Sequence, residues 1–184
     1  MEAFRFELTG EEKAYLKDVA RRSIQAALAG ERDWSPPNPP TRRLSKRFGA
    51  FVTLSEQGQL RGCIGHLAPD APLHRTISAM ARAAAFEDPR FAPLTEAEFE
   101  GIEVEISILG PITRCPDPEL VEVGRHGLIM RRGMRQGLLL PQVPVEWGWD
   151  RETFLAQTCC KAGLPPDAWR QPDTEIYWFE AEVF

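Results

Sequence analysis

Cys63 stands in the run LRGCIGH, with Gly62 before it, Gly65 shortly after, Arg61 two residues upstream and His66 three downstream. A thiol in an irregular, glycine-bracketed strand beside a guanidinium is the pattern of a stabilised thiolate, the form of cysteine that acts as a nucleophile. The same residues also suit a small buried cysteine in tight packing, and the local sequence leaves both readings open. His126, in Gly124-Arg125-His126-Gly127, sits where a loop enters a strand and is the candidate general base. Glu103 and Glu105 share one face of a strand, about 7 Å apart, and Glu105 is the candidate acid or orienting group. Asp88-Pro89-Arg90-Phe91 reads as a loop pinned by its acid and base, with Phe91 packed inside. His74 falls within a helical pattern and reads as a surface residue.

These side chains need elements to place them. Thr9-Gly10-Glu11-Glu12 is a capping box that starts a helix over Gly10–Ala29. Trp34 to Pro40, with four prolines in seven residues, is a rigid extended connection. Gly49–Leu54 and Gln59–Leu67 flank a Ser55-Glu56-Gln57-Gly58 turn and form a hairpin whose second strand carries Cys63. The glycines in that strand mark a bulge or a close backbone approach. Asp70 is the expected cap of a helix over Pro72–Phe86. Thr95 opens a short capped helix ended by Gly101. Ile102–Leu109 alternates, with Val104, Ile106 and Ile108 on the core face and Glu105 on the other. A second hairpin, Gly127–Arg132 and Gly137–Leu140, turns at Arg132-Gly133-Met134-Arg135. Pro141 to Trp149 reads as a rigid loop with exposed aromatics, Asp150 caps a helix over Arg151–Ala162, and Glu175–Phe184 is strand-like. Hairpins dominate, and strands do not alternate regularly with helices. That order predicts an α+β fold with a mostly antiparallel or mixed sheet flanked by helices.

Composition narrows the function classes. A 184-residue chain with 43% apolar and 27% charged residues suits one globular domain, or a main domain with a small lobe. The formal net charge of −5 argues against nonspecific nucleic-acid binding. The local cluster Arg42, Arg43, Lys46 and Arg47 reads as a solvated loop. No apolar run is long enough to span a membrane, and the charged N-terminal stretch is unlike a signal peptide. The expected location is therefore the cytoplasm, where the four cysteines stay reduced. Without a C-x-x-C pair or paired histidine spacing, neither a metal nor a cofactor is expected. Nucleotide-binding, zincin and hydrolase motifs are absent as well.

Taken in order, GAFVTL, LRGCIGHL, AAAFEDPRFAPL, IEVEISIL, GRHGLIM, LLLPQVP, GWD and FLAQTCCKAGL resemble the blocks of the AMMECR domain family, AmmeMemoRadiSam system protein A. They cover residues 48 to 184 within a single domain of residues 1–184, in which 1–47 hold the N-terminal helix and proline-rich loop. The resemblance implies an α+β fold with a larger and a smaller subdomain, and an LRGCIG segment that lines a cleft. It also implies a pathway shared with Memo-type and radical SAM proteins. Two functions fit. In the first, a cysteine-dependent enzyme acts on a small polar or anionic substrate: Cys63 reacts, His126 is the base, Glu105 orients it or acts as an acid, and Arg61, His66, Asp88 and Arg90 bind substrate. In the second, a non-catalytic module binds a metabolite or a partner protein through the same residues.

Overall fold

A computed structural model describes residues 7–184. The first six residues, part of the charged N-terminal stretch, lie outside the described residues. The fold is α+β, and the chain divides into two compact units, a larger one of residues 7–109 with Glu182–Phe184 and a smaller one of Gly110–Ala181.

The larger unit opens with α1 (Gly10–Leu28), whose capping box forms as its sequence predicts: Thr9 accepts from the Glu12 N–H, and Glu12 from the Thr9 N–H. Glu12 is nevertheless buried. Burial alone would raise its pKa; hydrogen bonds from Thr41 and Thr9 and the charge of Arg43 outweigh that and lower it. Thus Glu12 also ties down the basic cluster, which is a short 3-10 helix, Arg42–Ser45, rather than a freely solvated loop. Its Leu44 is fully buried, Arg43 reaches the Glu7 carbonyl, and Arg47 donates to the Asp70 carbonyl.

Strands β1 (Ala50–Glu56) and β2 (Gln59–His66) form the expected hairpin, with a tighter turn at Gln57-Gly58. Both turn residues have positive φ, 51° and 75°, which matches the twist of the flanking strands. Helix α2 (Leu73–Phe86) follows, then α3 (Glu96–Phe99) and β3 (Ile102–Leu109). The three strands lie antiparallel in the order β2, β1, β3. Two expectations fail around α2. Asp70 does not cap it: Pro72 holds that position, and the Asp70 carboxylate pairs with His66 instead. His74 is not on the surface but 7% exposed, with Nδ1 donating to the Leu44 carbonyl at 3.2 Å. In this position it links α2 to the 3-10 helix, a long-range contact that helical periodicity cannot reveal. Leu16, Val19 and Ile24 of α1, Leu73 and Ile77 of α2, and Val52, Leu54, Ile106 and Ile108 of the sheet have no exposed surface and form the core.

The smaller unit contains β4 (Thr113–Arg114), β5 (His126–Arg132), β6 (Arg135–Leu139), α4 (Gln142–Glu146), α5 (Arg151–Lys161) and most of β7 (Glu175–Val183). Its strands are antiparallel, with β7 between β4 and β5, and β6 outside β5. Met130, Phe154, Leu155, Cys159 and Trp178 fill its core. Asp150 caps α5 through the Thr153 N–H as predicted. The predicted rigid loop after β6 instead contains α4, whose Pro144 lies in the first turn, where an amide donor has no helical partner to lose. Of its aromatics Trp147 is 70% exposed, whereas Trp149 packs against the core.

Candidate functional site

Strand β2 is irregular at Arg61. Leu54 pairs with Gly62 and Ser55 with Leu60, leaving Arg61 as the extra residue of a β-bulge. The bulge changes which residue faces which. Without it, the two-residue turn would set Thr53 opposite Gly62; with it, Thr53 lies opposite Cys63, and Glu105 lies opposite Thr53 on the other side. Cys63, Thr53 and Glu105 therefore form one row across three strands, all on the face away from Leu54, Val104 and Ile106. The Thr53 hydroxyl donates to the Cys63 Sγ at 3.2 Å.

The glycines have packing roles. A Cβ on Gly62 would stand 2.1 Å from the Ala84 carbonyl oxygen of α2, and one on Gly65 would stand 2.1 Å from the Phe51 ring. Cys63 is thus presented by a strand pressed against α2 on one side and roofed by Phe51 on the other.

The Asp88–Arg90 loop closes the outer edge of β2. Asp88 Oδ2 accepts from the Cys63 N–H at 2.9 Å, and the Arg90 guanidinium reaches the Cys63 carbonyl at 3.5 Å. Both main-chain groups of Cys63 are engaged away from β1, so Cys63 and Thr53 form the closely spaced type of antiparallel pair. Arg90 also grips Asp88 through its backbone N–H, Nε and Nη2, at 2.7 to 3.1 Å. Asp88 is 4% exposed. The Arg90 guanidinium and the Cys63 amide hold its carboxyl well below the usual range despite burial. The pKa of Arg90 is raised chiefly by its bond to Asp88, with a smaller contribution from the negative charge Cys63 can carry. Its side chain is 44% exposed.

Arg61 does not serve Cys63 as expected. Re-aimed by the bulge, its Nε donates to Glu98 at 2.9 Å and its Nη2 to the Ala92 carbonyl at 2.9 Å. Glu98 belongs to the Thr95 capping box of α3 as well. Arg61, with the Thr95 amide and hydroxyl, draws the Glu98 carboxyl down to about 2. Arg61 and Arg90 both lie over the Phe91 ring, at 5.8 and 5.4 Å. His66 ends β2 and pairs with Asp70 at 2.8 Å on the surface. His126 belongs to the smaller unit. There it is buried, its ring tilted by 32° against Trp178 at 4.4 Å between ring centres, and Nδ1 accepts the Glu122 N–H at 3.0 Å. An imidazole accepting at Nδ1 carries its proton on Nε2 when neutral, and burial followed by the Arg125 charge lowers its pKa. No group of three metal-binding side chains occurs among the described residues.

The model of the AMMECR1 family matches residues 17–184. The chain belongs to the AMMECR1 family. Among its relatives, a Thermococcus onnurineus protein is 47% identical over 180 residues, 92% of this chain and 88% of the relative. Protein MK0488 of Methanopyrus kandleri is 48% identical over 186 residues, 96% of this chain and 89% of the relative. The crystal structure of the uncharacterized protein PH0010 from Pyrococcus horikoshii has the same fold, with a TM-score of 0.92 at 42% identity, covering 97% of this chain and 93% of that one. The AMMECR1 match reaches back into α1, beyond the block at residue 48 where the resemblance starts in the sequence.

Thr53 and Glu98 are the site residues that sequence reasoning missed. Glu98 had a visible signal, the capping box, but only in its local role. Thr53 had none: the glycines of β2 allow for a bulge, but not for its place at Arg61, which decides the residue opposite Thr53.

Proposed function

We propose that this AMMECR1-family chain works through the Cys63 thiol as a cysteine-dependent enzyme on a small polar or anionic substrate, in a pathway shared with Memo-type and radical SAM proteins. The observation that carries the proposal is the Thr53 hydroxyl donating to Cys63 Sγ beside an Arg90 guanidinium anchored by buried Asp88. A hydroxyl donor and a fixed cation both favour a thiolate. The half-exposed Arg90 is the group suited to a substrate anion. Asp88 and Arg61 act as supports, since their partners already engage them. Glu105, on the same face, is the acid of the row. The Nδ1 lone pair of His126 is taken by the Glu122 N–H, so His126 can act as a base only if that bond breaks.

One observation favours a non-catalytic module on the same residues: the half-exposed Arg90 guanidinium can hold an anionic group without any reaction at Cys63. Complementation separates the readings. Metabolites of a deletion strain are compared after adding back the wild type or Cys63→Ser, which keeps size and polarity. An enzyme reading expects the wild type alone to restore the profile. Full restoration by Cys63→Ser rejects it and supports the binding module.

A further inference from the structure

The smaller unit carries a groove that none of the proposed chemistry uses. It has a volume of about 460 Å³ and is lined by Arg132, Met134, Arg135, Leu164 and Pro165. Its rim is the β5–β6 hairpin, where Arg132 and Arg135 pair across a Gly133-Met134 turn. Gly133 supplies the positive φ, 58°, that such a turn requires. Met134 supplies nothing to the turn, where small polar residues are favoured, and it is fully exposed.

The charge around the hairpin is out of balance. Arg131 and Arg114 share one carboxylate, Glu175, at 2.7 and 3.9 Å. Arg132 pairs with Asp173 at 2.6 Å. Arg135 donates to a neutral carbonyl, that of Gly163, at 3.0 Å. Among the described residues, four guanidiniums thus meet two carboxylates, and no acid lines the groove itself. This local excess of positive charge stands on a chain whose formal net charge is −5.

We propose that the groove docks an acidic segment of a partner protein, with an apolar side chain against Met134, Leu164 and Pro165 and carboxylates on Arg132 and Arg135. The contrast between local and global charge selects this occupant. A membrane or a nucleic acid is a large anionic body that feels the net negative field of the whole molecule. A short peptide is read within about 8–10 Å, the screening distance at physiological salt, where the guanidiniums dominate. An apolar floor with charged walls is also the usual division between anchor and rim at protein interfaces.

The test is selection of a random-peptide phage library on the full chain, followed by titration of a synthetic copy of the enriched peptide. The expected result is an acidic peptide with at least one aliphatic or aromatic residue. Its affinity should fall about tenfold in Met134→Ser and in Arg135→Glu, and should weaken with added salt. Both substitutions are on the hairpin rim, and far-ultraviolet circular dichroism checks that each variant keeps the fold. Selected peptides without an acidic excess would overturn the proposal, as would affinities in both variants within about twofold of wild type. Tighter binding of an oligouridine or of phosphatidylserine vesicles than of the peptide, lost in Arg135→Glu, would replace it with a nucleic-acid or membrane surface.

Discussion

The four cysteines differ in their surroundings. Burial pushes Cys159 up to about 11 and raises Cys115 as well, so neither is expected to be an early target. Cys63 is half-buried and Cys160 exposed. Iodoacetamide followed by peptide mass spectrometry near neutral pH should label Cys63 and Cys160 well before the other two. Thr53→Val removes a hydrogen bond worth about 1 kcal/mol and should slow labelling of Cys63 roughly fivefold, leaving Cys160 unchanged. Glu105→Gln should act in the opposite sense. Two strand spacings separate Glu105 from Cys63, roughly 9–10 Å, at which a carboxylate opposes a thiolate by about 1 kcal/mol or less. A small acceleration, no more than about fivefold, is expected. Equal Cys63 rates in wild type and both variants would remove the row from the chemistry.

At the scale of elements, most of the fold was legible because local signals and tertiary needs agree. The Thr9 and Thr95 capping boxes, the Asp150 cap and the Ile102–Leu109 alternation each name their own element and face. The failures share a cause. Asp70 looks like a cap but answers to His66; His74 looks solvated but answers to Leu44; Arg61 looks like a neighbour of Cys63 but is turned aside by a bulge. In each case a contact distant in sequence decides, and periodicity carries no record of it. The glycines of β2 were readable as close approaches, though what approaches was not. Gly62→Ala should be the more damaging of two substitutions there. It drives a Cβ toward a helix carbonyl that cannot move without α2, costing roughly 3 kcal/mol in urea unfolding. Gly65→Ala meets a side chain instead, and Phe51→Leu in the same molecule should recover part of the loss. A Gly62→Ala variant as stable as wild type would contradict the packing of β2 on α2.

For the molecule as a whole, ionisation links stability to pH in both units. Asp88, Glu98 and Glu12 all have lowered carboxyl pKa values in the fold. Their stabilisation is full above the ordinary carboxylate range and is lost as pH falls from that range through the lowered values. His126 acts at higher pH: its lowered pKa means the unfolded chain binds the proton first, so stability begins to fall below about pH 6.5. Thermal unfolding should show a shallow decline below that pH, which His126→Gln removes, and a steeper one in the carboxylate range, which persists. Asp88→Ala should cost about 3 kcal/mol at neutral pH, because it leaves Arg90 and the Cys63 amide without their buried partner. It should have a second effect. Asp88 and Arg90 occupy the place beside β2 that another strand would take, and they satisfy the outward N–H and C=O of Cys63. With the acid gone, that edge becomes a template for a strand from another molecule. The folded Asp88→Ala protein should therefore form thioflavin-positive aggregates at concentrations where wild type forms none, so the loop that steadies the thiol also shields the edge of β2.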